Sequence, residues 1–449
     1  IIRYKKDMFV FSEVNKKSIA LGKSILEKYP DSAVVYTGKT IYAEDEECGG
    51  IFGNRKIIYF SKDMLSVKFG FHSKKKEIRF FVIGEDEAKN VKQSLNVIEL
   101  FKDRANTWAY VFSNKIEGEI ILSSVDKNLL KLRRISDERT LIHSILQEKG
   151  EQLFKEALPI EGSKDKLISA LVIGLSGCGA EMTKTLAWFG QMCNYKLEIT
   201  AIDALCDAKD RIAAISPDLL KEEYNGNFTD DGEAQYKIDI KEGLTPGTAS
   251  FYEEIEKIGK ITYIFIDTGD DEENIGTAIQ IRSRLTKNNM SPRIQAVVHD
   301  SERIKALKDV KNYSGQSYDI DFVGDVDSFY TVDNIMNSEL EAEALARHMK
   351  WGSEDVFWNF EYNRRSSIAS ALHRRMKIAC GVPGANKAVA DRSEEEKINL
   401  RKLEHRRWNA YMRSEGYTFA EKRNNLAKTH NCLVTFDKLT REEQEKDDD

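Results

Sequence analysis

Residues 170–184 read ALVIGLSGCGAEMTK, and the change of pattern inside this stretch decides the fold class. An apolar run ends at Gly174, two further glycines follow at Gly177 and Gly179, and the pattern then becomes helical. A strand, a glycine turn and a helix in this order are typical of a loop whose backbone N–H groups hold a phosphate. Two interpretations stay open: the turn binds an adenine nucleotide, or its glycines serve only the structure.

The spacing of this turn matches the dinucleotide-binding fingerprint G-x-G-x-x-G at two of its three glycines. Gly174 allows a tight turn and Gly179 allows the helix to pack closely on the strand, whereas Ser176 stands where the backbone should approach a pyrophosphate. Gly177 restores some of the lost conformational freedom. Asp203 ends the next predicted strand, 29 positions after Gly174, and is placed to hold the hydroxyls of a ribose.

Strands and helices alternate on both sides of this unit, which predicts parallel sheets with right-handed crossovers. The two halves look like an internal repeat, because residues 83–98 (IGEDEAKNVKQSLNVI) resemble residues 268–281 (TGDDEENIGTAIQI), with Asn90 and Asn274 at matching places. The corresponding turn of the first half, FSEVNKKS at residues 11–18, has no glycine. We therefore interpret the first half as a scaffold or as a site for some other ligand.

The predicted fold is α/β: two tandem Rossmann-like parallel-sheet domains, a helical connector and a small, mainly helical C-terminal domain. In the second half, residues 318–325 (YDIDFVGD) predict a sixth strand, and the strand signal fades from Thr331 onward. The predicted boundaries are 1–134 for a degenerate Rossmann-like domain, 135–165 for a helical linker, 166–330 for the nucleotide-binding domain, 331–392 for the helical connector and 393–449 for the C-terminal domain.

The composition is that of an ordinary globular protein, with 41% hydrophobic and 32% charged residues and a formal net charge of -6. This charge gives no reason to expect nucleic acid or an anionic membrane as a partner. The six cysteines form no CxxC pair and the seven histidines no HExxH motif, so we predict a reduced, cytoplasmic setting without a metal site. No apolar run reaches the ~20 residues of a membrane helix. Because the chain begins at Ile1 rather than Met, we also consider it as the cytosolic part of a longer protein with an upstream transmembrane segment.

The loop DTGDDEEN, residues 267–274, follows a predicted strand at the carboxyl edge of the second sheet, where ligands bind in such folds. Asp267, Asp270 and Asp271 are candidate contacts to a ribose or a cation, and Gly269 is a further candidate ligand-binding residue of this loop. Capping of the following helix by its acids is the alternative, and the residue types favour it.

A basic segment, NRRSSIASALHRRMK at residues 363–377, contains five cations and no acid. A solvated basic helix face is the usual meaning of such a run. Arg364 and Arg365 lie near the predicted start of the helix, so the alternative is that they hold an anionic ligand.

The C-terminal block combines aromatic and basic side chains. His405, Lys428 and His430 accompany Trp408 in the segments LEHRRWNAYMRSEGY and KTHNCLVTFDKL. Together they could line a small pocket that holds an aromatic, anionic ligand by stacking and charge. The residue types by themselves favour a module whose aromatic side chains only fill its core.

Two family resemblances follow from these motifs. The unit from Gly174 to Asp203, the GDDEEN helix and the repeated half resemble tandem TrkA-type nucleotide-binding domains, also called RCK domains, over roughly three quarters of the chain. This resemblance implies a domain that regulates potassium transporters or channels by sensing nucleotides or ions, without redox chemistry. It also implies an adenine nucleotide such as NAD(H), ATP or ADP as ligand, and a homo-oligomer, either a dimer or a larger ring.

The last fifty residues are similar to the RyR domain, the small repeat named after the ryanodine receptor. The matching positions are Glu404, His405, Arg407, Trp408, Gly416, Lys428, His430 and Leu433. This resemblance implies recognition of a nucleotide-derived ligand, often in defence against phage. It makes His405, Trp408, Lys428 and His430 candidate ligand contacts.

The function predicted from these features is that of a cytosolic, non-catalytic sensor. A nucleotide or a nucleotide-derived signal would bind the TrkA-like unit, the RyR-like domain or both, and the protein would control an effector such as an upstream channel. An NAD(P)-dependent oxidoreductase is the first alternative, because a Rossmann fold alone does not set function. A scaffold with vestigial sites is the second.

Overall fold

The computed structural model describes residues 7–38, 56–67, 76–228, 235–307 and 311–448. The chain divides into two compact units, of which the first comprises Ile1–Leu141 with Val326–Ile368 and the second Ile142–Asp325 with Ala369–Asp449. Cys48 lies outside the described residues.

Strands form two separate parallel sheets. In chain order the strands are β1 Met8–Phe11, β2 Ala33–Thr37, β3 Ile57–Phe60, β4 Ile78–Val82, β5 Thr107–Phe112, β6 Lys131–Ile135, β7 Leu158–Pro159, β8 Lys166–Ile173, β9 Tyr195–Ile202, β10 Tyr236–Lys241, β11 Tyr263–Ile266, β12 Arg293–Val297, β13 Ile320–Val323, β14 Thr418–Phe419 and β15 Thr429–His430. The last two strands pair only with each other.

Helices connect these strands and make up most of the chain after residue 325. They are α1 Lys16–Lys28, α2 Glu87–Phe101, α3 Ile116–Ser124, α4 Asp137–Lys155, α5 Cys178–Phe189, α6 Ala208–Ile215, α7 Ala249–Ile258, α8 Asp271–Lys287, α9 Ser301–Leu307, α10 Val326–Phe329, α11 Val332–Ile335, α12 Glu339–His348, α13 Glu354–Asn359, α14 Glu361–Ala379, α15 Glu394–Ser414 and α16 Arg441–Glu445. Short 3-10 turns cover Met64–Ser66, Pro217–Leu219, Val389–Asp391 and Phe436–Lys438.

The first unit contains a parallel sheet in the order β3-β2-β1-β4-β5-β6. Its central strands are buried on both faces, as near-continuous apolar runs such as MFVF in β1 require. Strand β6 is not predicted from the sequence, because its residues, KLRRI, are mostly cationic. Arg133 and Arg134 are nevertheless buried in it, since each meets a carboxylate, Glu341 at 2.5 Å and Glu361 at 2.6 Å.

The second unit repeats this order as β10-β9-β8-β11-β12-β13, and β7 adds an antiparallel pair at β8. Strand β8, which leads into the glycine turn, has β9 on one side and β11 on the other. This is the doubly wound arrangement, in which a crevice forms at this point of the sheet. Strand β13 confirms the sixth strand predicted at residues 318–325. The α/β fold with two Rossmann-like parallel sheets and a mainly helical C-terminal part is therefore confirmed.

The predicted internal repeat extends to individual hydrogen bonds. Asn90 on α2 donates through Nδ2 to the carbonyl of Phe112, the last residue of β5, at 2.9 Å. Asn274 on α8 donates in the same way to Val297, the last residue of β12, also at 2.9 Å. In both halves the amide oxygen accepts an N–H from the loop before the helix, at 2.9 and 2.8 Å. The shared asparagine thus ties a helix start to two neighbouring strand ends.

The acids of the two repeats also have structural partners. Asp270 caps α8 by accepting the N–H of Glu273 at 2.9 Å, and Asp86 caps α2 in the same way. Asp271, the first residue of α8, accepts the N–H groups of His299 and Asp300 at 3.0 and 2.9 Å. Capping and loop tethering, the alternative that the residue types favoured, are therefore what the acids of this loop do in the structure.

Helix α15 packs against α5, the helix that follows the glycine turn. Ser216, just after α6, donates a hydrogen bond to the carbonyl of Ser414 at the end of α15 at 2.7 Å. Within the second unit, the C-terminal block thus rests on the Rossmann-like part. In the described part of the chain, no helix has the combination of length and apolar character needed to traverse a bilayer.

Candidate functional site

The glycine turn after β8 has the backbone geometry expected from its sequence. Gly174 has φ = +83°, and a Cβ there would collide with the backbone carbonyl of Asp267. A Cβ on Gly179 would collide with the carbonyl of Gly174, so α5 approaches the turn closely. Gly177 has φ = +62°, and the Ser176 side chain is exposed. The close packing of strand, turn and helix therefore requires these glycines whether or not a ligand binds.

Asp203, the predicted ribose contact, is 6% exposed and lies against the glycine turn. Its Oδ2 accepts the N–H of Leu175, inside the turn, at 2.5 Å. Its Oδ1 accepts the N–H of Leu205 at 2.7 Å. Both carboxylate oxygens therefore already have backbone donors, and one of these donors belongs to the loop that would have to meet a phosphate.

Asp267 occupies the start of α5. Its Oδ2 accepts the N–H of Cys178, the first residue of that helix, at 3.0 Å, and its Oδ1 accepts the N–H of Gly269 at 3.2 Å. A helix N-terminus favours a negative charge, and here the chain supplies one from its own β11 strand end. We call the turn Gly174–Gly179, together with the carboxylates of Asp203 and Asp267 that contact it, the glycine mouth. These two buried carboxylates repel an incoming phosphate.

Ligand binding by Gly174, Ser176, Gly177, Gly179, Asp203, Asp267, Gly269 and Asp270 stays a prediction. A phosphate at the start of α5 would have to displace the Asp267 carboxylate from the Cys178 N–H or share that end of the helix with it.

Arg364 and Arg365 face carboxylates of their own unit. Arg365 donates to Glu119 at 2.7 Å, and Arg364 lies 3.7 Å from Glu341 and donates to a main-chain carbonyl at 3.2 Å. Burial lowers the pKa of the Arg364 guanidinium. Burial alone would raise the pKa of Glu361, but Arg134 and Arg365 hold it down at about 2. The two arginines are thus parts of a buried ion cluster, and their predicted role in holding an anionic ligand has no direct support in this geometry.

His405 on α15 is buried and hydrogen-bonded through both ring nitrogens. Nε2 lies 2.9 Å from the carbonyl oxygen of Val434, and Nδ1 lies 3.1 Å from Oδ2 of Asp447. A carbonyl oxygen only accepts, so Nε2 carries a proton. The Nδ1 contact then needs one further proton, on the imidazole or on Asp447, whose pKa burial raises. His405 therefore has no nitrogen lone pair directed at a substrate.

The other predicted C-terminal contacts are packed against, or hydrogen-bonded to, groups of the same block. The Trp408 ring stacks on His405 at 5.7 Å between centroids and meets His430 edge-on at 5.0 Å. Burial lowers the pKa of His430 to about 4, and its Nδ1 accepts the N–H of Cys432 at 3.1 Å. Lys428 donates to the carbonyl of Glu415 at 2.9 Å. His430 is buried, whereas Trp408 and Lys428 are half-buried. Ligand binding by Trp408, Lys428 and His430 stays a prediction.

A cleft of about 420 Å³ lies in the second unit beside α15. We call it the C-terminal cleft. Its walls are formed by Cys193, Asn194, Val382, Pro383, Glu396, Asn399, Lys402, Leu403, His405, Arg406, Asn409, Thr435, Phe436 and Asp437. Of the predicted ligand contacts, only His405 lines it.

Asn409 is the most informative residue of the C-terminal cleft, because it is 0% exposed and only half of its amide is hydrogen-bonded. Its Nδ2 donates to the carbonyl of Val434 at 2.9 Å. Its Oδ1 has no hydrogen-bond partner within the part of the chain that the structure describes. An unsatisfied buried acceptor is costly, so it marks a place where a further donor would be stabilising.

Charged and aromatic side chains line the same cleft. Lys402 lies 3.6 Å from Asp437, and both side chains are about half or more exposed, so this pair is weak and displaceable. Glu396 is already engaged by Lys387 at 2.7 Å. The Phe436 ring meets His405 edge-on at 6.0 Å, and Phe436 also lines the cleft.

Sequence reasoning missed Asn409, Lys402, Arg406 and Phe436. A signal was present, because residues 399, 402, 406 and 409 recur at helical spacing and place Asn, Lys, Arg and Asn on one face of α15. The matched positions of the RyR-like motif include His405 and Trp408 but none of these four residues.

Comparison with protein-family models and with curated proteins finds no match for this chain. Among the described residues, no group of three or more histidine, cysteine or acidic side chains is arranged to hold a metal ion.

Proposed function

We propose that the protein is a non-catalytic, ligand-sensing regulatory protein that binds a nucleotide-type small molecule in the C-terminal cleft. The observation that carries this proposal is the unused acceptor of Asn409, which is buried in the wall of a cleft large enough for a nucleotide. The resemblance of the chain to TrkA-type and RyR domains supports a regulatory role for such binding. Control of an upstream channel or of a phage-defence effector is part of this proposal and rests on that resemblance.

The glycine mouth supports this choice of site by contrast. Its helix N-terminus holds Asp267, and the loop amide of Leu175 is held by Asp203. Dinucleotide-dependent redox chemistry would need both a pyrophosphate at this position and a proton donor or acceptor beside the nicotinamide. His405, the histidine that lines the C-terminal cleft, is committed to two hydrogen bonds. We therefore prefer a sensor to an oxidoreductase.

A thermal-shift screen with NAD(H), ATP, ADP and AMP tests the proposal, because a ligand that binds only the native state raises its stability. We expect at least one adenine nucleotide to raise the Tm of the wild-type protein. The shift should disappear in Asn409→Leu, which removes the acceptor at similar volume, and should persist in Asp203→Asn, which alters the glycine mouth.

Three results would overturn this assignment in different ways. A shift lost in Asp203→Asn but kept in Asn409→Leu would place the ligand in the glycine mouth. Oxidation of NADH with a carbonyl substrate would favour the enzyme. No shift with any nucleotide would favour the scaffold.

A further inference from the structure

We infer that the C-terminal cleft selects a nucleotide whose base carries an exocyclic amino group, which donates to Oδ1 of Asn409, while its phosphate lies at Lys402 and Arg406. This inference rests on the proposed function and adds the chemical class of the ligand.

The orientation of the Asn409 amide follows from Val434. The Val434 carbonyl oxygen accepts from Nδ2 of Asn409 and from Nε2 of His405, both at 2.9 Å. Turning the amide over would place Oδ1 of Asn409 against a carbonyl oxygen that has nothing to donate. The free position of the amide is therefore fixed as an acceptor. A base with an amino group at this point satisfies it, whereas a base with a carbonyl oxygen leaves two acceptors facing each other.

The length of the ligand follows from the helix. Lys402 precedes Asn409 by seven residues, which corresponds to about 10 Å along the α15 axis. Arg406 lies between them, about 4.5 Å from Asn409 along the same axis. A nucleoside monophosphate has this span between the amino group of its base and its phosphate. The cations on the helix thus lie on the side of the amide where the phosphate would extend.

Two further groups in the walls of the cleft are compatible with the base and the phosphate of such a ligand. Phe436 presents a ring to the cleft and can stack on a base. Asp437 is the intramolecular anion at Lys402, at 3.6 Å, and both partners are exposed enough for an incoming phosphate to replace it. In the wall of the cleft, the exposed ion pair is thus replaceable, whereas the buried Asn409 amide is fixed.

Titration calorimetry on the full chain tests the inference with pairs of nucleotides that differ at one group. AMP is compared with IMP and with purine ribonucleoside 5′-monophosphate, which replace the amino group by oxygen and by hydrogen, and CMP is compared with UMP. We expect the amino member of each comparison to bind at least about tenfold more tightly, because the analogue leaves the buried acceptor unpaired.

Asn409→Leu should bind AMP and purine ribonucleoside 5′-monophosphate equally. Asn288→Leu is the matched control, since it makes the same substitution at an exposed asparagine of the second unit outside the walls of the cleft, and it should keep the preference for AMP. If Asn409→Leu fails to fold, the comparison of nucleotides on the wild-type protein still decides the question.

Equal binding of AMP and its two analogues by the wild-type protein would overturn the inference and leave the proposed function standing. Binding of neither purine nor pyrimidine nucleotides would overturn both. A preference for AMP that survives in Asn409→Leu would show that another group reads the base, which also overturns the inference.

Discussion

The glycine mouth and the C-terminal cleft both lie in the second unit and both contain buried polar groups, but these groups differ in whether they already have partners. In the glycine mouth, the amides of Leu175 and Cys178 are held by the carboxylates of Asp203 and Asp267. In the C-terminal cleft, Oδ1 of Asn409 is buried and has no partner among the described residues. The glycine motif thus marks a backbone geometry, whereas we propose that the unpaired acceptor in the C-terminal cleft marks a place for a ligand.

The largest effect is expected where the cleft helix is anchored. Glu404 on α15 accepts hydrogen bonds from Lys377 at 3.1 Å, Arg407 at 2.5 Å and Ser370 at 3.1 Å, and Lys377 is fully buried. Glu404→Ala leaves buried cations without their anion and should lower the free energy of unfolding by about 3–5 kcal/mol. Denaturant unfolding measures this loss.

Glu395→Ala is the control for that variant, because it removes an exposed carboxylate from the same helix and should change stability little. A Glu404→Ala protein as stable as the wild type would contradict the account of how the cleft helix is held.

The second prediction concerns the glycine turn itself. Gly174→Ala introduces a Cβ against the carbonyl of Asp267 at φ = +83°, and should lower the free energy of unfolding by about 3 kcal/mol. Gly276→Ala, in α8, meets open space and should be neutral or stabilising by up to about 1 kcal/mol. Equal stability of the two variants in thermal unfolding would show that Gly174 serves no structural purpose.

The third prediction is that the free energy of unfolding depends on pH through His373, which is buried on α14. Burial lowers the pKa of His373 to about 4, and its Nε2 lies 2.5 Å from the carbonyl of Gln191. An unfolded histidine takes up its proton near pH 6.5, so between about pH 6.5 and 4 the unfolded state binds more protons and stability falls as the pH falls. From pH 7 to pH 5 the loss attributable to His373 should be about 2 kcal/mol.

Urea unfolding at a series of pH values, with His373→Gln beside the wild type, isolates this contribution. The variant should show a flatter pH dependence in that window, and His299→Gln, at an exposed position, should not. Identical slopes for the wild type and His373→Gln would mean that His373 is not held neutral.

The fourth prediction concerns phosphate binding at the glycine mouth. Asp267→Asn keeps an acceptor for the Cys178 N–H but removes the negative charge from the start of α5. Inorganic phosphate should then stabilise this variant, by about 1.4 kcal/mol at tenfold excess over its Kd, and should leave the wild type unchanged. Asp270→Asn, which changes only the cap of α8, is the control. Equal phosphate-induced shifts in all three proteins would refute the idea that Asp267 fills this end of the helix.

The smallest effect is expected at the rim of the cleft. Asp437→Asn removes the anion that lies 3.6 Å from Lys402 and should raise the affinity for AMP two- to fivefold, because an exposed ion pair contributes little. The gain should shrink at high salt, since the charges are solvent-exposed. Weaker binding of AMP by Asp437→Asn in calorimetry would mean that Asp437 contacts the ligand itself.

Most of the fold could be predicted from the sequence, because its strands are apolar runs with turn signals on either side. Strand β6 was one exception, since the burial of Arg133 and Arg134 depends on carboxylates more than 200 positions away in the chain. No local pattern contains that information. The repeat was predictable from Asn90 and Asn274 because each bonds the same two strand ends in its own half.

The candidate site was much less predictable. The glycines were identified correctly as a turn, but whether Asp203 would face a ribose or the turn itself depended on distances that the sequence does not carry. Asn409 was missed for the same reason, since its proposed role depends on one atom that has no partner among the described residues. The helical spacing of residues 399, 402, 406 and 409 was visible beforehand, but it is also the pattern of an ordinary solvated helix face.

Backbone hydrogen exchange with and without saturating AMP tests the central claim most directly. We predict slower exchange on AMP binding at the amides of residues 435–437 and along α15 from residue 399 to residue 409, and no change at residues 174–179. Protection confined to residues 174–179 would contradict the account, because it would show that the glycine mouth accepts the nucleotide despite its two carboxylates.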